Sequence, residues 1–273
     1  MEAWDQGADL FLENLSESLK QANAITAPFL PPEWQELPGF ILFLSLVFLV
    51  SLLFWKHAFK LDDTKAALLA SCTISTVHGI VCATIGYREL TRWTSLQVDD
   101  INTPHQITLT QFSLAYMVAD FSIYLMPWEP TNMLFVVHHI ISAYFLVGVL
   151  HTGRGAISGI LMFFMGEVTS PLLNAFTFAK ELRKVSTIAS KLFIFLSPLF
   201  TIGYILVRTV IAPPLVLWFC YSWWFRSSLI PGVWRWPMGG VVFIGIIASQ
   251  AWTVMLIKGY KAQQAKKQKM KEM

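Results

Sequence analysis

MLFVVHHIISAYFLVGVL, residues 133–150, is long and apolar enough to enter a bilayer, yet it carries the histidine pair His138-His139 near its start. No Asp, Glu, Lys or Arg falls in this run. Neighbouring apolar runs hold Asp120, Glu167 and His78. An ionisable group at the centre of a bilayer costs roughly 2.5–3.5 kcal/mol on insertion scales. A chain that keeps several of them is expected to gather them around a shared, buried cavity.

Composition agrees with a membrane protein. Of the 273 residues, 55% are apolar, 14% aromatic and only 14% charged, against about 25% charged in soluble domains. A net charge of +3 argues against a nucleic-acid partner. The cysteines, Cys72, Cys82 and Cys220, lack metal-ligand spacing and read as small apolar packing residues.

Seven spans are expected, near 38–56, 66–87, 107–126, 132–150, 156–179, 190–212 and 238–258, each close to the roughly 20 residues a crossing helix needs. The fold class is therefore all-α, a polytopic transmembrane helix bundle. Pro213-Pro214 is expected to end the sixth span, leaving 215–225 re-entrant or interfacial. The domains read as an acidic N-terminal segment (1–37), a first helix and loop (38–64), a main bundle (65–262) and a basic tail (263–273). Residues 1–37 lack a basic region followed by a short apolar core, so the first apolar run is expected to stay as an anchor. Trp4, Ala8, Phe11, Leu15 and Leu19 fall at helical spacing, which fits either an amphipathic helix on the lumenal surface or a loosely ordered tail. Asn14-Leu15-Ser16 is a glycosylation sequon.

Seven spans sort the basic residues. One side takes Lys56, Lys60, Lys65, Lys180, Arg183, Lys184, Lys191 and six C-terminal lysines from Lys258 onward. The other takes Lys20, Arg88, Arg92, Arg154, Arg226 and Arg235. The positive-inside rule then predicts a cytosolic C-terminus and a lumenal N-terminus. Lys269-Met270-Lys271-Glu272-Met273 resembles a dilysine retrieval signal of the kind read by coatomer, predicting residence in the endoplasmic reticulum. A lysine-rich tail also suits anionic lipid.

Counting about 1.5 Å per residue from the cytosolic ends places Asp120 roughly 9 Å deep, His139 roughly 12 Å, Glu167 roughly 16 Å and His78 roughly 18 Å. Asn174 falls at about 6 Å and Arg208 at about 25 Å, where an arginine can snorkel to the lumenal face. Polar residues also stack on single helix faces: Ser71, Ser75, His78 and Cys82; Tyr116, Asp120 and Tyr124; Glu167, Ser170 and Asn174; Thr201, Tyr204 and Arg208. Spacings of three and four put such residues on one face. The candidate chemistry is a histidine of the pair acting as nucleophile or general base, with Asp120 or Glu167 fixing its tautomer. Adjacent helical residues point about 100° apart, so one histidine should be chemical and the other supporting. His78, Ser75, Tyr116, Tyr124, Asn174, Tyr204 and Arg208 are the candidate substrate contacts. The competing reading is that these groups only hydrogen-bond the bundle together. No metal site is expected, because His138-His139 lacks the i, i+4 spacing of paired metal-binding histidines.

Ser75-Thr76-Val77-His78, Tyr116-Met117-Val118-Ala119-Asp120, His138-His139-Ile140-Ile141-Ser142 and Glu167-Val168-Thr169-Ser170-Pro171-Leu172-Leu173-Asn174, in this order, resemble the TLC family. That family includes ceramide synthases and the translocating-chain-associating membrane protein. Arg208 followed by Pro213 is a weaker match. The resemblance covers about 65–262 and implies a six-helix TLC bundle behind one extra helix. In ceramide synthases a matching histidine pair serves acyl transfer from acyl-CoA to a sphingoid base, so His138, His139 and Asp120 would inherit that site. The sequence departs from the synthase pattern downstream, where Phe163-Phe164 replaces an expected His-Asp pair and Glu167 falls near a later Asp. It is closest to the non-synthase TLC proteins linked to membrane lipid composition. The resemblance implies a protein acting on or binding acyl-chain or sphingoid-type lipids, with no resident cofactor and acyl-CoA as a co-substrate. If it is an enzyme, it is an acyltransferase. Otherwise it is a lipid sensor, lipid carrier or cargo-binding protein.

Overall fold

A computed structural model of the chain describes residues 2–92, 95, 97–121 and 133–272. Helices α1 (Glu2–Ser18), α2 (Lys20–Thr26), α3 (Leu37–Ala58), α4 (Asp63–Arg92), α5 (Pro104–Phe121), α6 (Met133–Thr152), α7 (Ala156–Glu167), α8 (Ser170–Leu182), α9 (Thr187–Ile205), α10 (Ala212–Phe225) and α11 (Gly232–Glu272) build it. There is no strand among the described residues, only a bridge between Ile101 and Arg154. Among the described residues, six helical paths are long and apolar enough to cross a membrane: 32–58, 63–92, 135–152, 156–182, 187–225 and 232–262. The chain is a multi-pass helical bundle.

The expected third span, 107–126, is seen only as far as Phe121 in α5. Gln106, Thr110, Gln111 and Ser113 make α5 polar for a helix facing lipid, and all four are buried. The surrounding helices, not lipid, receive its polar groups. Gln111 illustrates this: its Oε1 accepts from the backbone N–H of Glu36 (2.9 Å) and Leu37 (3.0 Å), which start α3. These are first-turn donors with no partner inside a helix.

Lys60, Lys65, Lys180, Arg183 and Lys184, five of the basic residues sorted to one side, line one cleft between the α3–α4 and α8–α9 turns. The opposite end is tied by Asn102, whose N–H donates to the Gly153 carbonyl (3.0 Å) and whose Nδ2 donates to the Val149 carbonyl (3.0 Å). Its Oδ1 accepts from the Ala156 N–H at 2.8 Å, starting α7.

Helix α1 is the amphipathic helix of the two alternatives rather than a loose tail, and its apolar face docks on the bundle, with Leu12 fully buried and Ala8, Phe11, Leu15 and Leu19 against the same core; the Trp4 side chain lies outside the described residues. Phe11 meets Phe43 and Phe112 edge-on at 6.2 and 6.4 Å. Asp9 pairs with Arg88 and lies 3.2 Å from His105 Nε2. A buried cation at the end of α4 needs a partner, and α1 supplies it.

The sixth span runs on past the expected stop. From Thr187 to Phe225 the path is helical throughout, with a π-helical turn over Leu206–Ile211. In that turn the Ala212 N–H reaches back to the Val207 carbonyl, so the next carbonyl, of Arg208, would look to residue 213. Pro213 has no N–H to give. Gln250 Nε2 of α11 donates to the Arg208 carbonyl instead, at 2.7 Å. The two prolines then sit at the start of α10, where a missing donor does little harm. The expectation that Pro213-Pro214 ends the helical path is thereby corrected, since the path runs on through 215–225.

This path also sets the shape of the interior. Trp223, near its end, lies against Gly155 at the start of α7, and Thr187 follows closely on Leu182 at the end of α8. The 39 residues of 187–225 therefore join the same two ends as the 27 residues of 156–182. Straight helices of those lengths would measure about 58 and 40 Å, so the longer path has to bow. Pro198, the π turn and Pro213-Pro214 provide the bends.

Candidate functional site in the bundle interior

The bow leaves a cavity of ≈ 360 Å³ between α4, α5, α6, α7, α8, α9, α10 and α11. Its lining is graded. Ser71, Ser75, Asp120, His138, His139 and Asn174 line the part nearer the basic end, while Phe145, Met162, Val216, Val241 and Val242 line the other part. The volume falls within the roughly 300–1,000 Å³ of small-molecule sites.

Asp120 organises the polar part. It is 2% exposed and accepts from Ser71 Oγ (2.7 Å), from Tyr116 OH (3.3 Å) and from His139 Nε2 (3.0 Å). His139, 4% exposed, also sets Nδ1 2.8 Å from the Phe135 carbonyl. A carbonyl only accepts, so Nδ1 carries hydrogen. One further proton is then held between Nε2 and Asp120 Oδ2, and the pair has no net charge whichever atom holds it. That neutrality is what a site within hydrocarbon requires.

His138 is different. It is exposed, lines the cavity, and stands with its ring perpendicular to that of His139, centroids 5.7 Å apart. The division expected within the pair is therefore resolved: His139 is anchored and His138 faces the cavity.

The other candidates divide. Asn174 Nδ2 donates to Ser75 Oγ at 3.1 Å, joining α8 to α4 on the cavity wall. Glu167 closes α7, where the helix breaks at Val168-Thr169 before Ser170-Pro171, and it lines the cavity. Gly79 allows this approach, since a Cβ there would lie 3.2 Å from Glu167 Oε2. His78 does not line the cavity. It is fully buried behind Tyr116, stacked on that ring at 4.1 Å, with Nε2 3.2 Å from both Ser113 Oγ and Cys82 Sγ. Its Nδ1 lies 3.8 Å from Glu167, too far for a hydrogen bond. His78 is thus a packing residue rather than the expected substrate contact. Tyr124 lies outside the described residues.

Arg208 does not snorkel to a face. It lines the cavity with Tyr204 and donates through Nη2 to the Gly166 carbonyl, next to Glu167. Its guanidinium also lies over the Tyr204 ring, 5.6 Å from the centroid. Depth counting failed here because it assumed a straight helix. Ser71, Ser249, Gln250 and Trp252 were not among the expected site residues. For Ser71 the signal was present in the polar stripe of α4; for Ser249-Gln250 it was a polar pair inside an otherwise apolar run. No group of three or more metal-ligating side chains occurs among the described residues.

The ordered polar motifs thus fold into one site on a helical bundle, and the TLC-domain profile matches residues 65–258. The chain belongs to the TLC-domain family. It is also similar to a TLC domain-containing protein of Arabidopsis thaliana, 33% identical over 150 residues, which are 53% of this chain and 58% of that protein. No solved structure matches the chain.

Proposed function

We propose that this TLC-domain protein binds long acyl-chain lipids in the graded cavity and transfers an acyl group through His138, so influencing membrane lipid composition. The supporting observation is the arrangement of His138, exposed to a cavity whose other part is hydrocarbon, in front of the anchored His139–Asp120 pair. In this reading a ring nitrogen of His138 attacks the carbonyl carbon of an acyl thioester such as acyl-CoA. The C–S bond breaks, and the thiolate leaves and takes a proton. The acyl-imidazole then passes its acyl group to an amine or hydroxyl of a second lipid, whose proton is lost in turn. The apolar part holds the chain and sets its depth. We further propose that the chain resides in the endoplasmic reticulum with its basic end cytosolic, the dilysine-like tail being read by coatomer.

A second reading, a lipid carrier or sensor, is favoured by Phe163, which lines the cavity where a synthase would be expected to place a polar residue. One experiment separates the two. Purified protein is incubated with palmitoyl-CoA and its peptides are examined by mass spectrometry. Acyl transfer predicts a palmitoyl adduct on the 138–139 peptide that His138→Ala abolishes. Its absence, with palmitoyl lipid still co-purifying with His138→Ala, leaves the carrier reading.

A further inference from the structure

Three buried side-chain polar atoms of residues lining this cavity have no hydrogen-bond partner among the described residues, and all three belong to one wall: Tyr204 OH, Arg208 Nε and Ser249 Oγ. Tyr204 is 4% exposed and Ser249 6%. A polar atom buried without a partner carries a desolvation cost, and each such atom in a native fold calls for an explanation. Within hydrocarbon the cost is larger, since lipid offers nothing in exchange.

The three residues are neighbours. Arg208 lies over the Tyr204 ring. Gln250, adjacent to Ser249, bonds the Arg208 carbonyl, and Trp252 meets the Tyr204 ring edge-on at 6.4 Å. The wall built by α9, the π turn and α11 therefore holds unengaged donors in residues that line the same cavity as the histidine.

An arginine only donates, and the two hydroxyls can donate. What completes such a set is an acceptor oxygen. We propose that Tyr204, Arg208 and Ser249 form a subsite for the carbonyl oxygen of a lipid acyl group, holding its carbon toward His138. This rests on the acyl-lipid reading above. Charge that develops on that oxygen when the carbonyl carbon is attacked would meet the guanidinium, the arrangement that stabilises an oxyanion. The donor set also explains the position of Arg208: its Nη2 is fixed by the Gly166 carbonyl, leaving Nε for the ligand.

The test compares ligands that differ only in this oxygen. The full chain in lipid nanodiscs is titrated with palmitoyl-CoA and with its thioether analogue S-hexadecyl-CoA, and separately with methyl palmitate and hexadecyl methyl ether. His138→Ala protein is used so that no turnover occurs. The carbonyl-bearing member of each pair should bind about tenfold more tightly, as one hydrogen bond to a charged donor supplies. In Tyr204→Phe/Ser249→Ala the ratio should fall to about two or below. Because neither hydroxyl bonds any described residue, the ligand-free double variant should melt at or above the temperature of its parent. Equal affinities within both pairs, no binding of either pair, a ratio untouched by the double variant, or a lowered ligand-free melting temperature would each overturn the subsite. A tenfold ratio that the double variant abolishes, together with no palmitoyl adduct on the wild type, would remove the transferase reading and leave the subsite standing.

Discussion

Replacing Asp120 tests whether the polar part of the cavity is a coupled unit. In Asp120→Ala three donors lose their acceptor at once: Ser71 Oγ, Tyr116 OH and His139 Nε2, at 2.7, 3.3 and 3.0 Å. The carboxylate is 2% exposed and the imidazole 4%, so water cannot replace what is lost. Removing one member of a buried ionic pair costs about 3–5 kcal/mol, or about 6–20 °C at 2–4 °C per kcal/mol for a chain of this size. Asp120→Asn differs in a way the geometry dictates. The amide oxygen still accepts from Ser71, and the amide N–H donates to Nε2 of a neutral His139 whose proton sits on Nδ1 against the Phe135 carbonyl. Only Tyr116 loses a bond, at about 1 kcal/mol, or about 2–4 °C. Tryptophan fluorescence of detergent-solubilised protein reads both melting temperatures. If the alanine variant melts within about 3 °C of wild type, or the asparagine variant falls as far as the alanine, the hydrogen-bond assignment is wrong.

Gln250→Leu should cost about 1–3 kcal/mol by leaving the Arg208 carbonyl unpaired, measured as a fall in melting temperature; no fall would show that the π turn needs no outside donor. Gly155→Ala should cost about 2–4 kcal/mol, because φ is +82° and the new Cβ would stand 2.6 Å from Trp223 Cη2; thermal unfolding checks it, and an unchanged melting temperature would refute the contact. Acid should weaken the packing around His105. His105, ahead of its span, is held below the ordinary histidine value by burial first and by Arg88 second, against the carboxylates of Glu89 and Glu13. The folded chain resists protonation there while the unfolded chain takes it up, so the stability His105 lends is full above about pH 6.5 and is lost as pH falls below it. The melting temperature should therefore fall between pH 7 and 5.5 and fall less in His105→Gln; an equal fall in both proteins would refute the linkage.

Much of this architecture is legible in the chain itself. Apolar runs of bilayer length give six of the spans, and the segregation of lysines gives the two ends. Periodicities of three and four place Ser71, Ser75, Tyr116, Asp120 and Asn174 correctly on interior faces. The failures share a physical source, in that periodicity describes one straight helix at a time. His78 lies on the same stripe as Ser75, but the ring of Tyr116 on another helix stands between it and the cavity. Arg208 seemed too deep because nothing local announces that 187–225 bows. Pro213-Pro214 looked like a terminator because its remedy, the Gln250 amide, sits on α11. The docking of α1 depended on Asp9 meeting Arg88, a pairing 79 positions apart that no local pattern encodes.

The bowed path and α11 have a further bearing on how any occupant would arrive. In an 18-residue apolar window of each path, only 17% of the residues in 187–225 and 11% in 232–262 are buried inside the protein, against 56% in 63–92. The outer side of the chamber is thus a single layer of helices with lipid at its back. Side chains such as Val137 and Ile244, which line the chamber, are also 38% and 53% exposed. A greasy tail could slip sideways from the leaflet into this protein without ever crossing water, and its passage would depend on how freely two peripheral helices part.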